Sequence, residues 1–174
     1  MIEPTWKRIG AFHSEDSGTI GAVWLAHDTV TSVVHVYDVA LFTTEVPVVI
    51  AEAIGARGRH YPLAWSKKDK AFADQFLDAG INVLAEPCTD APAMIEALSR
   101  EIWQMLRSSR LRVDKRVGEW LREYKAFSRD GTSIPNKGFP LMAATRHAVE
   151  MMNYARAESY GRVERDNFPK LAIV

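Results

Sequence analysis

The run IGAVWLAHDTVTSVVHVYDVALF, residues 20–42, decides the fold. It is dense in Val, Trp and Tyr, residues that fit a pleated, half-buried surface. The polar link Asp28-Thr29-Val30-Thr31 divides it into two strands, 20–28 and 32–42. Upstream, KRIGAFH at residues 7–13 reads as another strand, joined to the pair by the turn-forming loop SEDSGTIG. Three closely linked strands in succession predict an antiparallel meander.

Beyond residue 42 the apolar period changes. Val46, Val49, Ile50, Ala53 and Ile54 share one face of a predicted helix that Gly55 and Gly58 help to end. YPLAWS (61–66) is a short strand candidate. Phe72, Ala73, Phe76 and Leu77 mark a helix stopped at Gly80, and INVLAE (81–86) is another strand candidate. Asp90 is placed to cap a helix with Pro92 in its first turn and Met94, Ile95, Leu98, Ile102, Met105 and Leu106 inward. Leu111–Val113 is extended. Asp114 caps a further helix with Val117, Trp120, Leu121 and Tyr124 buried, residues 129–138 form a loop, and Pro140 opens a last helix running to about Arg156. Trp24, Trp65, Trp103 and Trp120 each fall in an apolar pattern and read as packing. The whole predicts a mixed α/β sheet with helices on its flanks. A doubly wound fold ranks second, because such folds usually begin strand–helix–strand.

A chain of 174 residues is the size of one domain. Residues 1–157 are expected to form it, with 158–174 as a weakly patterned tail. Lys and Arg number 22, as do Asp and Glu, so bulk charge names no partner. The charges are uneven, however: residues 1–99 carry 7 basic and 13 acidic groups, and residues 100–130 carry 9 basic and 5 acidic. That basic segment meets phosphates or is an ordinary solvated helix face. Cys88, the single cysteine, excludes an internal disulfide and a cysteine-based zinc cluster and reads as a packing residue. With no long apolar run and no leader pattern at MIEPTWKRIG, the expectation is an intracellular (cytoplasmic) protein without membrane contact.

Several segments, in order, resemble the C-terminal nuclease domain of phage large terminase subunits. They are IGAVWLAHDTVTSVVHVYDVALF, ARGRHYPLAWSKKD, FLDAGINVL, LRVDKRVGEWLREYKAFSRDGTSIPNKG and LMAATRHAVEMM. The resemblance spans roughly residues 7–157 and implies a ribonuclease H-like fold. No GxxxxGK[ST] occurs, so the expectation is a stand-alone nuclease-like domain or a piece without the ATPase portion of a large subunit.

The resemblance implies a two-metal phosphodiesterase whose Mg²⁺ or Mn²⁺ ions need carboxylates from the first strand, the end of the fourth strand and the last helix. At the first of these positions, an "I-G-x-D" pattern, the chain has Phe12. At the second, an "A-W-P-x-D" pattern, it has Lys68. At the third, a "D-D-L-M-x-A-T-R" pattern, it has Phe139 and Pro140. Three losses at three positions imply a degenerate, non-catalytic relative that needs no cofactor.

Such a protein is expected to act in DNA packaging or its regulation. It would bind double-stranded DNA, through Lys67, Lys68, Lys70, Arg110, Arg112, Lys115 and Arg116 (with Arg107 beside them), or a terminase or portal component. The alternative is an active endonuclease, dependent on Mg²⁺ or Mn²⁺, with a rearranged site of Asp16 and Asp69, with His13 as added ligand or base and Glu119 or Glu123 in support. Glu15 reaches that site only if its loop turns back.

Overall fold

A computed structural model describes residues 2–43, 45–127, 134, 135 and 137–158. The expected tail, apart from Glu158, lies outside the described residues, as does most of the loop 129–138. Strands β1 (Lys7–Ser14), β2 (Ile20–Asp28) and β3 (Val33–Phe42) form the expected antiparallel meander. A one-residue bulge interrupts the β2–β3 register between Trp24 and Leu25. Helix α1 (Pro47–Gly55) leads to the two-residue strand β4 (Leu63–Ala64), which pairs parallel with β1. Helices α2 (Lys70–Asp78) and α3 (Pro92–Arg107) follow, then β5 (Leu111–Val113), parallel to β3. Helices α4 (Gly118–Ala126) and α5 (Pro140–Glu150) complete the set. The sheet order is β4-β1-β2-β3-β5.

Both sheet faces are covered, as the near-continuous apolar run of β2 requires. Phe12, Ile20, Ala22, Trp24 and Phe42 pack with Ile50 and Ile54 of α1 and Phe76 of α2. On the other face Ile9, Ala11, Val23, Leu25 and Val36 pack with Ile102 and Met105 of α3, Trp120 of α4, and Leu141, Ala144 and Ala148 of α5. Trp120 is fully buried, and its indole N–H donates to Thr145 Oγ1 at 2.9 Å, tying α4 to α5.

Four local expectations are corrected. The strand at 81–86 is not a continuous ladder. Leu63 N–H donates to Asn82 O, Leu84 N–H to Leu63 O and Cys88 N–H to Trp65 O, with isolated bridges only at Val83 and Cys88. Pro87, which lacks an N–H, lies between those bridges. The last helix stops at Glu150, not Arg156, because Arg156 is extended and exchanges backbone hydrogen bonds with Arg8. Asp90 and Asp114 do not cap. The N-cap residues of α3 and α4 are Ala91 and Val117, and Asp114 instead accepts the Arg116 amide at 2.9 Å and pairs with its guanidinium. Trp103 is not core: it is 48% exposed, with the Arg107 guanidinium 4.6 Å above its ring.

Candidate functional site at the end of the first strand

Strand alternation sends consecutive side chains of β1 to opposite faces. Phe12 is fully buried in the α1–α2 layer, its ring 5.0 Å from that of Phe76 in an edge-to-face contact. His13 points the other way, toward α5. Opposite it in the ladder is Gly21, where an added Cβ would lie 2.7 Å from the carbonyl carbon of Pro140. The missing side chain lets the first turn of α5 rest directly on the sheet. The end of β1, the turn after β4 and the start of α5 therefore converge, as the resemblance implies.

Ionisable groups gather there. His13 Nδ1 lies 3.1 Å from His147 Nε2, and both rings are buried. Burial first, then the charges of Lys68 and Arg146, push His13 down to about 3. Burial and the neighbouring His13 push His147 well below the usual histidine range. Both are neutral imidazoles near neutral pH.

The loop after β1 does turn back. Glu15 N–H donates to Thr19 O and Gly18 N–H to Glu15 O, which leaves the Glu15 carboxylate almost fully buried, 3.8 Å from His13 Nε2. From α4, Glu123 accepts the Met142 amide at 2.7 Å, and burial lifts its pKa to about 7. Arg146 is buried among these acids. Burial works against its charge, while Asp90, Glu15 and Glu123 favour it. Asp90 is itself raised, by burial and then by the charge of Asp69.

The positions singled out in the sequence separate into distinct environments. Asp69 is buried and held by three donors: it accepts from Ser14 Oγ, from Ser14 N at 3.4 Å and from Ser66 Oγ at 2.8 Å. It locks the turn after β4 onto β1. Lys68 donates to the Ser14 carbonyl oxygen. Asp16 points outward in an exposed ion pair with Lys137 at 2.6 Å, so Asp16, Asp69 and His13 are not gathered around one point. Glu119 is paired with Arg122 at 3.1 Å on the outer side of α4. Phe139 packs edge-to-face on Phe127, and Pro140 is buried at the start of α5. Sequence reasoning missed Asp90, Arg146 and His147 as members of this corner. His147 follows Arg146 in the quoted LMAATRHAVEMM, but nothing in its spacing marks it as a partner for His13, 134 residues away.

The basic residues form no single track. Register places Lys67, Lys68 and Lys70 beyond β4, level with Ser14, and Arg110, Arg112, Lys115 and Arg116 along and after β5, level with Arg8. Four strand spacings of about 4.8 Å and roughly six residues of strand separate them, which puts the two sets at diagonal corners of the sheet. Lys70 is paired with Asp74, and Arg116 with Asp114.

No protein-family model matches the chain, and no curated protein matches it in sequence. Solved structures do match. The fold is that of terminase nuclease domains. The nuclease domain of the P22 large terminase superposes with a TM-score of 0.82 at 18% identity, covering 91% of this chain and 87% of that one. A large terminase from a thermophilic bacteriophage, in complex with ADP, gives 0.71 at 10% identity, with 88% of this chain lying on 41% of that one. The nuclease domain of the bacteriophage SPP1 large terminase, with bound Mn, gives 0.66 at 14% identity and 86% coverage of both. The expected mixed sheet flanked by helices is thus borne out as a ribonuclease H-like nuclease fold.

Proposed function

We propose that this chain is a nuclease-fold domain of a DNA-packaging system that associates with its target without cutting DNA. The observation that carries the reading is the chemistry of the convergent corner. Hard divalent ions need converging carboxylate oxygens. Here the β1 side chain facing the corner is a neutral imidazole, the acid after β4 is engaged by two serines, and the cations Lys68 and Arg146 face the remaining acids. A pair of divalent ions added beside these two cations would be unfavourable. The residues present therefore do not fit a two-metal centre.

A packaging protein as target is supported by the open apolar surface. Val46 just before α1, Val48 and Val49 on it, and Trp103 on α3 are exposed. A cavity of about 630 Å³ between α3, α4 and α5 is lined by Trp103, Tyr124, Phe127, Met142 and Arg146. Duplex DNA is the second reading, supported by the exposed lysines beside the corner. Incubation of supercoiled plasmid with Mg²⁺ or Mn²⁺ tests the first part, and metal-dependent nicking would refute it. Duplex binding measured against salt separates the targets: steep salt dependence, lost on Lys67→Glu with Lys70→Glu, selects DNA, and no binding at low salt selects the protein partner.

A further inference from the structure

We propose that Cys88, His147 and Glu150 form a site for one thiophilic divalent cation, with Zn²⁺ the ion their donors select. A thiol sulfur, an imidazole nitrogen and a carboxylate oxygen from these residues all lie within 4.8 Å of one another. Ligands around tetrahedral zinc sit roughly 3.5 Å apart, so small side-chain rotations close the set. His147 and Glu150 stand three residues apart on one face of α5, and the chain beside β4 brings Cys88 against them.

Two further observations point to a ligand. Glu150 Oε1 accepts the Thr89 amide at 3.0 Å, but its Oε2 is buried without a hydrogen-bond partner. The second is the ring next door. His147 Nε2 is engaged with His13 Nδ1 at 3.1 Å. With His147 donating, the lone pair of His147 Nδ1 is left free, and His13 carries its own proton on Nε2, which has no hydrogen-bond partner. A hydrogen bond from the far nitrogen of a ligating histidine is the arrangement that orients such ligands.

Binding replaces the thiol proton: a Zn–S bond forms, the S–H bond breaks, one proton leaves to solvent and no electron is transferred. Thiolate and carboxylate then neutralise the ion's two charges. Water completes the coordination from the Thr89–Asp90 edge, which is exposed. Mixed sulfur, nitrogen and oxygen donors favour Zn²⁺ over Mg²⁺ or Mn²⁺, and none of the positions implied by the terminase resemblance takes part.

The test is titration of the metal-free chain with Co²⁺, followed by Zn²⁺ competition against a chromophoric chelator. One equivalent of Co²⁺ is expected to give a near-ultraviolet thiolate-to-cobalt band. Cys88→Ser abolishes that band. The half-buried variant Glu150→Gln, whose fold circular dichroism checks, keeps the band and weakens Zn²⁺ binding by at least about tenfold. Asp74→Asn, at an exposed ion pair with Lys70 on α2, leaves the affinity unchanged. Absence of one-to-one binding, a cobalt spectrum without the thiolate band, an affinity indifferent to Glu150→Gln, or an equal loss in Asp74→Asn would each overturn the proposal.

Discussion

Phe12 and His13 are neighbours in sequence and belong to different worlds. Phe12 enters an apolar layer of aromatic and aliphatic side chains against α1 and α2. His13 enters a corner of the opposite face where Glu15, Glu123, Arg146 and His147 gather. The difference teaches that a strand has two faces with separate duties. In this chain Phe12 serves the core, and the next position, which faces the corner, carries an imidazole.

Phe12→Asp breaks the comparison most severely. It exchanges a fully buried phenyl for a carboxylate among apolar groups, so it is expected to cost about 4 kcal/mol, near the upper range for core truncation plus an unpaired polar group. A midpoint lower by roughly 10 °C in thermal unfolding, with no metal-dependent nicking gained, is the expected result. Asp69→Ala acts next: Ser14 and Ser66 lose their shared acceptor, at about 2–3 kcal/mol, measured by denaturant unfolding. A variant of unchanged stability would mean Asp69 is held for something other than the turn. Gly21→Ala drives a methyl into the backbone at Pro140 and is expected to cost about 2 kcal/mol through displacement of α5.

The smallest effect depends on pH. Burial raises Glu123 from 4.5 to about 7, so the folded state binds its proton more tightly than the unfolded chain does. Stability that is present below 4.5 is therefore lost as pH rises through about 7. Glu123→Gln removes that loss while keeping an acceptor for the Met142 amide. Its melting midpoint is expected to be flatter across this window and, above it, higher than the parent's by roughly 2–4 °C, about 1 kcal/mol. A parallel pH profile in parent and variant would contradict the assignment.

Much of the fold was legible because alternation and helical period are local signals. The meander at residues 7–42 and the buried parts of the stripes of α1, α2 and α3 follow from apolar spacing, whereas Val46, Val49, Leu77 and Met94, read as part of those stripes, are exposed. The end of α5 was not, since only its pairing partner Arg8 fixes the extended chain at Arg156. The strand at 81–86 is broken where Pro87 follows it, a boundary that apolar content does not register. For the corner, the convergence of β1, the β4 turn and α5 was readable from the ordered resemblance. Its occupants were not: Glu15 comes in only because its loop closes on Thr19, and the His13–His147 contact joins segments 134 residues apart.

On the proposed reading this corner holds no divalent pair. Soaking crystals of the chain in Mn²⁺ and recording anomalous scattering tests it directly. No Mn²⁺ peak is expected among His13, Glu15, Asp69 and the first turn of α5, and a pair of peaks there, coordinated by Glu15 or Asp69, would contradict the reading.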